Sequence, residues 1–136
     1  MLHELFEEHY PSFAPEELLS PDGLILFESG TLPMQVVFLN MLQGLRNIVG
    51  RPFLINHGEH KRRGFRSKRE NDAVGGKFAH PLGIAADVTV KGLSPKEFGE
   101  VAKDFGFSGI GVYNTFTHID IRNFLGFKSA YWRVNR

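Results

Sequence analysis

The segment HPLGIAAD, from His80 to Asp87, carries an imidazole and a carboxylate that could act together on one ligand. The residues between them are small or apolar and include one glycine and two alanines. Because such residues add little bulk, the backbone can curl so that both side chains converge. This pair is typical of a metal site, where histidine and aspartate supply the ligand atoms.

A second segment, THIDIR, supplies further titratable side chains. If it forms a strand, alternation sends His118, Asp120 and Arg122 to one face and the two isoleucines toward the core. His80, Asp87 and His118 would then form a set of two histidines and one carboxylate. Three protein ligands suit a catalytic zinc, because the fourth position is left to a water molecule whose pKa falls toward roughly 7.

A structural role for these residues is the competing interpretation. His80 can cap a loop, Asp87 can begin a strand as a solvated residue, and a lone histidine on an exposed strand is common. On the spacing of His80 and Asp87 alone, the structural interpretation is favoured, since short motifs often mislead. The second histidine on an alternating strand strengthens the case for a metal site, and both interpretations stay open on the residues alone.

The elements that position these side chains begin with a predicted core helix. Apolar residues at helical spacing over residues 34–48 indicate this helix, which Gly50 and Pro52 would end. Residues 53–55 are predicted to form a short buried strand. The polar residues 56–72 that follow form a long connection, which is usually functional or mobile in a small domain.

A second helix is predicted from its capping residues. Ser94 is a suitable N-cap, Pro95 occupies the first helical position, Glu97 completes a capping box and Gly106 ends the helix. Further strands are predicted at residues 87–90, 107–113 and 117–122, with a last edge strand at 130–134.

These elements predict an α+β fold, with a small, mostly antiparallel sheet and flanking helices. The 136 residues suffice for one domain, so we expect a single domain over residues 1–136. Within it, residues 1–33 are expected to be a variable lead-in and residues 34–136 the core.

Composition excludes some classes of site. The chain has no cysteine, so a metal would need histidine and carboxylate ligands. Lys plus Arg number 16 against 15 for Asp plus Glu, which gives no overall attraction to nucleic acid or to an anionic membrane. The acidic start of the chain, broken by Pro11, is unlike an export signal, and no apolar stretch approaches membrane-spanning length.

Six short motifs, in order and spacing, resemble those of the zinc D-alanyl-D-alanine carboxypeptidases and their relatives among phage endolysins and murein endopeptidases. The resemblance covers roughly the last two thirds of the chain. It implies a zinc D-Ala-D-Ala peptidase-like fold that holds one zinc ion through His80, Asp87 and His118. The matching segments are GFRS (64–67) with Asn71, VGG (74–76), HPLGIAAD, GIGVY, THIDIR and a closing YW.

The resemblance also implies roles for two other residues. Arg66 matches the family arginine that holds the substrate near the zinc, and a guanidinium suits a peptide carboxylate or a developing oxyanion. Without the resemblance, Arg66 is an ordinary solvated member of a basic run. Tyr113 could donate its hydroxyl to an intermediate, although such a tyrosine is more often half-buried packing.

The sequence departs from the family pattern at two positions. Ala79 stands where the family usually has a serine before the first zinc histidine. Thr115 stands where many relatives place the acidic general base, and threonine cannot take a proton from zinc-bound water at neutral pH. Asp120 is the first substitute, either as base or by orienting a neighbouring ligand, and a salt bridge to Arg122 or Arg66 is its structural alternative.

Three more titratable residues, His57, Glu59 and His60, lie on the polar connection and could reach the site. The resemblance predicts a zinc-dependent peptidase that hydrolyses peptidoglycan stem peptides as a carboxypeptidase or endopeptidase. It would be a monomer, made in the cytoplasm without an export signal, that acts on the cell wall as phage-type lytic enzymes do. Neither nucleic acid nor membrane is expected as a partner.

Two other classes of function compete with the peptidase. A non-catalytic zinc module with the same three ligands is the first, and Thr115 supports it. A small nucleic-acid or assembly protein that uses the basic residues 61–69 is the second, and it predicts salt-dependent binding without a metal.

Overall fold

A computed structural model describes residues 2–56, 62–76 and 78–136 of the chain. The described part contains helices and one four-stranded sheet, which confirms the predicted α+β class. In chain order, the elements are α1 (Leu2–His9), α2 (Pro15–Leu18), α3 (Pro21–Glu28), α4 (Val36–Val49), α5 (Lys68–Ala73), β1 (Ala85–Val88), α6 (Pro95–Phe105), β2 (Gly109–Val112), β3 (Thr117–Asp120), a 3₁₀ turn (Arg122–Leu125) and β4 (Ala130–Arg133).

The predicted core helix is α4. It ends at Gly50, which adopts the left-handed conformation at φ 70° and donates its N–H to the carbonyl of Arg46. Phe38 and Leu42 are completely buried on its inner face, whereas Ile48 is 67% exposed. The helical pattern therefore places α4 correctly, but Ile48, the last residue of that pattern, faces solvent.

Helix α6 also follows its prediction. The Ser94 side chain accepts a hydrogen bond from the N–H of Glu97, and the Glu97 side chain accepts one from the N–H of Ser94. Gly106 ends the helix. The buried Phe98 lies on the face that packs against β2 and β3, so α6 supports the two central strands of the sheet.

The sheet has the strand order β1-β3-β2-β4. Strand β3 pairs antiparallel with both β1 and β2, whereas β4 pairs parallel with β2. The prediction of a small, mostly antiparallel sheet is confirmed, and the parallel edge is the difference. The 3₁₀ turn after β3 and residues 126–129 return the chain so that β4 runs in the direction of β2.

The strand predicted at residues 53–55 is wrong as a regular element. Only Leu54 pairs, through one antiparallel bridge to Thr89, and its side chain is 42% exposed. Phe53 and Ile55 are buried, so the apolar side chains of this segment pack against the core. Its backbone, however, does not form the series of hydrogen bonds of a regular strand. Strand β1 likewise begins two residues earlier than the predicted Asp87.

Three helices occupy the N-terminal residues. The sequence SPDG (residues 20–23) begins α3, because the Ser20 side chain accepts a hydrogen bond from the N–H of Gly23. Phe6 and Phe27 are 2% and 1% exposed and contact each other edge to face, with ring centroids 5.7 Å apart. The first 33 residues thus contribute side chains to the same hydrophobic core as α4.

The polar connection contains the short helix α5, which begins with a capping box between Ser67 and Glu70. Several basic side chains of this region form ion pairs, since Arg69 pairs with Asp22 at 2.6 Å and Lys68 with Asp72 at 3.0 Å. Within the described ranges, no helix has both the length and the apolar character needed to cross a membrane.

Candidate functional site

The side chains of His80, Asp87 and His118 meet in the structure. His80 lies before β1, Asp87 lies on β1, and His118 lies directly opposite Asp87 on the neighbouring β3. Asp87 Oδ1 is 3.3 Å from Nε2 of His80 and 3.0 Å from Nδ1 of His118. The curl expected between His80 and Asp87 includes Gly83, which adopts a positive φ of 72°.

One hydrogen bond fixes which nitrogen of His80 can bind a metal. Nδ1 lies 2.7 Å from the backbone carbonyl oxygen of Gly64, which only accepts hydrogen bonds. Nδ1 therefore donates this hydrogen bond, so Nε2 is the nitrogen that faces Asp87 and is placed to bind a metal.

The orientation of His118 is fixed in the opposite sense by Asp120. Nε2 of His118 donates to Oδ2 of Asp120 at 2.7 Å, which leaves Nδ1 to face Asp87. Arg122 donates to the same carboxylate from its backbone N–H and from two guanidinium nitrogens, at 2.7 to 3.2 Å. Asp120 is completely buried, so its charge is balanced by these partners and not by water.

Two of the three distances between the available atoms fit a tetrahedral zinc ion. Zinc to nitrogen distances of about 2.0–2.1 Å in tetrahedral geometry require ligand atoms roughly 3.3 Å apart. The distances of 3.3 and 3.0 Å to Asp87 match this spacing, and one ligand atom from each residue lies within 4.8 Å of the others. His80 Nε2, Asp87 Oδ1 and His118 Nδ1 could therefore hold one metal ion.

The acidic groups of the site are held in their charged forms. Burial opposes ionisation of Asp87, but the charge of His80 and hydrogen bonds from both histidines outweigh it and keep the pKa of Asp87 well below its usual range. Burial also opposes ionisation of Asp120, yet its bonds to His118 and Arg122 lower the pKa of that carboxyl. Two carboxylates thus flank one imidazole ring.

The same contacts act on the ring of His118. Burial disfavours the charged imidazole, but hydrogen bonds to Asp120 and Asp87 outweigh this effect and raise the pKa of His118 to about 9. In the metal-free protein, His118 therefore carries a proton on the nitrogen that a metal would use.

Two glycines on β2 leave room for this row of side chains. Gly109 pairs with Asp120, and a side chain at Gly109 would overlap the Asp120 carboxylate. Gly111 pairs with His118, and a side chain there would overlap the ring of Trp132. The alternating glycines of GIGVY are thus explained by the bulky and charged groups that lie over the sheet.

The three candidate ligands line a pocket of about 670 Å³. Its other described walls are predominantly basic, aromatic or glycine residues. They are Arg63, Arg66, Val74, Gly75, Gly76, Phe78, Ala79, Tyr113, Phe116, Arg122, Ala130, Trp132 and Arg136.

Arg66 lies in this pocket and is only 7% exposed, so the solvated alternative is wrong. Its Nε donates to Asn71 Oδ1 at 2.7 Å, and Nη1 donates to the carbonyl of Arg62 at 2.9 Å. Burial lowers the pKa of Arg66, while Asp87 and Glu70 oppose that change. A side chain at Gly76 would overlap both Asn71 Oδ1 and Arg66 Nη2, which explains the glycine of VGG.

Other predicted residues are placed less favourably. Tyr113 lines the pocket with its ring stacked on Phe116, at a centroid distance of 4.4 Å. Thr115 is exposed and does not line the pocket with the ligands. Ala79 is buried beside His80 and provides no hydroxyl. His57, Glu59 and His60 lie outside the described residues.

Several residues that line the pocket are not among the site residues predicted from the sequence. The rings of Trp132 and His118 are 5.3 Å apart, and the guanidinium of Arg122 lies 5.1 Å from the Trp132 ring. Arg63 lies 4.7 Å from the ring of Phe116. The closing YW was the only available signal for Trp132, whereas Arg63 and Phe116 lie outside regular elements, where spacing carries no information.

Comparisons with known proteins agree with this geometry. A model of the peptidase M15 family matches residues 12–120, which cover all three candidate ligands together with Arg66 and Asp120. No curated protein sequence matched the chain. Because the match extends over most of the 136 residues, the chain belongs to the peptidase M15 family, the family of zinc D-Ala-D-Ala carboxypeptidases.

Proposed function

We propose that the protein is a zinc-dependent peptidase that hydrolyses peptidoglycan stem peptides, as a D-Ala-D-Ala carboxypeptidase or an endopeptidase. The observation that carries the proposal is the convergence of His80 Nε2, Asp87 Oδ1 and His118 Nδ1 at one pocket. Membership in the peptidase M15 family supports both the metal and the hydrolytic reaction.

The proposed zinc would polarise the scissile carbonyl and activate a water molecule. The chain's own residues would position the reactants around it. Arg66, fixed by Asn71 and by the carbonyl of Arg62, would bind a substrate carboxylate or a developing oxyanion. Tyr113 lies in the same pocket and would contact the substrate.

Asp120 is proposed as a positioning residue. Both of its oxygens are occupied by Arg122, and Oδ2 also accepts from His118. These bonds favour the orienting role over the role of general base, because a carboxylate with a strongly lowered pKa is a poor proton acceptor. It would hold the His118 ring so that Nδ1 faces the metal.

The wider biological setting follows from the same proposal. The substrate would be a cell-wall stem peptide, and the protein would act on the wall as a phage-type or bacterial lytic enzyme. We propose that residues 1–136 act as one monomeric domain. The helices of residues 1–33 support this unit, since their apolar side chains share the core with the rest of the chain.

A non-catalytic zinc module is the second candidate. Among the described residues that line the pocket, Asp87 is the only carboxylate, and it is assigned to the metal. A bound zinc without a separate proton acceptor would stabilise the fold and leave peptides intact.

Digestion of purified muropeptides by the zinc-loaded protein, read by mass spectrometry, distinguishes the two candidates. A chelated sample and His118→Ala serve as controls. The peptidase predicts loss of a D-alanine or cleavage of a cross-link only when the metal and His118 are both present. Stoichiometric zinc with no cleavage across carboxypeptidase and endopeptidase substrates would favour the zinc module.

A further inference from the structure

The walls of the pocket carry a surplus of positive charge. Four arginines line it, namely Arg63, Arg66, Arg122 and Arg136. Asp87 is the only acidic residue among its described walls. The guanidinium of Arg122 is already bound to Asp120.

Arg63 differs from its neighbours in the basic segment. Nε of Arg62 lies 3.9 Å from Oε2 of Glu70, and Arg69 forms an ion pair with Asp22. Within the described part of the chain, no carboxylate lies within salt-bridge distance of Arg63. Arg62 and Arg69 thus lie near carboxylates of the protein, whereas the charge of Arg63 is available to a group bound in the pocket.

The contacts of Arg63 hold it beside the candidate metal ligands. The backbone carbonyl of Arg63 accepts a hydrogen bond from the N–H of Asp87 at 2.6 Å. This bond fixes the backbone of Arg63 beside a candidate metal ligand. Its guanidinium lies over the ring of Phe116, which in turn stacks on Tyr113. A cation held against an aromatic face loses less side-chain freedom when it binds an anion.

We propose that Arg63 is a specificity-determining residue that binds a second carboxylate of the substrate, in addition to the group bound by Arg66. The inference rests on the proposed function and narrows its substrate class. Arg63 would select stem peptides with a free carboxylate on a side chain or branch, such as an unamidated diaminopimelate residue. A guanidinium pairs with both oxygens of a carboxylate, whereas a carboxamide offers no charge and one acceptor.

The test compares two peptides that are identical through a terminal D-Ala-D-Ala and differ at one position. One carries meso-diaminopimelate with its free carboxylate, and the other carries the amidated form. The ratio of kcat/KM for the two peptides is measured with the zinc-loaded wild type, Arg63→Gln and Arg133→Gln. Arg133 is the matched control, because it is an exposed arginine on β4 outside the pocket.

We expect the wild type and Arg133→Gln to prefer the free carboxylate by about tenfold or more, mainly through a lower KM. Arg63→Gln should cleave the amidated peptide as well as the wild type does and lose most of the preference. Equal kcat/KM values for the two peptides in the wild type, or an unchanged preference in Arg63→Gln, would overturn the role of Arg63.

Failure of the proposed function would be recognised separately. If the zinc-loaded protein cleaves neither peptide, calorimetric titration of both peptides measures the same selectivity as binding. Tighter binding of the free carboxylate that depends on Arg63 would support the inference in a non-catalytic protein. Equal or undetectable binding of both peptides would overturn it.

Discussion

Nε2 of His118 donates a hydrogen bond to Asp120 at 2.7 Å, while Nδ1 of the same ring faces Asp87 at 3.0 Å. The two contacts assign different tasks to the two carboxylates. Asp120 fixes the orientation and tautomer of the ring through Nε2, and Asp87 lies beside Nδ1, where the metal would bind. Because Arg122 holds Asp120 in turn, the candidate metal centre depends on a chain of three side chains, His118, Asp120 and Arg122.

Replacing Asp120 tests this chain of contacts. Asp120→Asn removes the charged acceptor of His118 Nε2, so the ring no longer prefers the tautomer that directs Nδ1 to the metal. We expect zinc affinity to fall about 10–100-fold. Competition with a chromophoric chelator measures the affinity, and Asp104→Asn, an exposed change on α6, is the control. Wild-type affinity in a folded Asp120→Asn would contradict the orienting role.

Gly76→Ala tests the position of Arg66. The added methyl group would overlap Arg66 Nη2 and Asn71 Oδ1, so the guanidinium must move while the three candidate metal ligands stay in place. We expect kcat/KM on a D-Ala-D-Ala peptide to fall by about tenfold or more with full zinc content. Gly30→Ala is the control for a loss of stability alone. A methyl group at Gly30 would have no atom within 4 Å, but the positive φ of 95° would cost about 1–2 kcal/mol of backbone strain. Equal activity of Gly76→Ala and the wild type would remove Arg66 from the mechanism.

The metal-free protein should be most stable in mildly acidic solution. The pKa of His118 is raised from 6.5 to about 9, so its contribution to stability is complete below pH 6.5 and is lost as the pH rises through 9. The pKa values of Asp87 and Asp120 are lowered from 3.8, so their contribution is present above that pH and is lost in strong acid.

Urea unfolding of the chelated protein at pH 5.5 and pH 9.5 measures the alkaline part of this change. We expect the free energy of unfolding to fall by about 3 kcal/mol at the higher pH, since one pKa unit corresponds to about 1.4 kcal/mol. His118→Gln should lose most of that difference. An unchanged unfolding midpoint in the wild type would show that His118 is not held as a charged ring.

Phe27→Ala tests the contribution of the N-terminal helices to the core. Phe27 is 1% exposed and packs edge to face on Phe6, so its truncation should cost about 3–5 kcal/mol. Ile25→Ala, on the same helix but 69% exposed, should change stability by only about 0.5 kcal/mol. Chemical denaturation compares the two variants. A small effect at Phe27 would indicate that residues 1–33 are an appendage.

The parts of the fold that could be predicted carry local signals. The capping residues of α6 act within a few residues and appear as predicted. Strand β3 is also predicted, with His118 and Asp120 at alternate positions, but it ends at Asp120 and the predicted extension to Arg122 is wrong because Arg122 begins a 3₁₀ turn. His80, Asp87 and His118 converge because small residues allow the curl and because β1 and β3 are neighbours.

The features that were not predicted depend on distant residues. The parallel pairing of β4 requires knowledge of how the chain returns after β3. The site contacts of Arg63 depend on Phe116, 53 positions along the sequence, and no period links them. Asp120 could be placed on the correct face, but only its contacts with His118 and Arg122 favour an orienting role over a proton acceptor.

Anomalous diffraction at the zinc absorption edge, from crystals of the zinc-loaded protein, tests the candidate metal centre most directly. We predict one strong peak in the pocket, about 2.0–2.2 Å from His80 Nε2, Asp87 Oδ1 and His118 Nδ1. Asp120 should remain bound to His118 Nε2 and should not touch the ion. A peak ligated by Asp120, a peak at other residues, or no peak at full zinc loading would contradict the assignment on which the proposed peptidase depends.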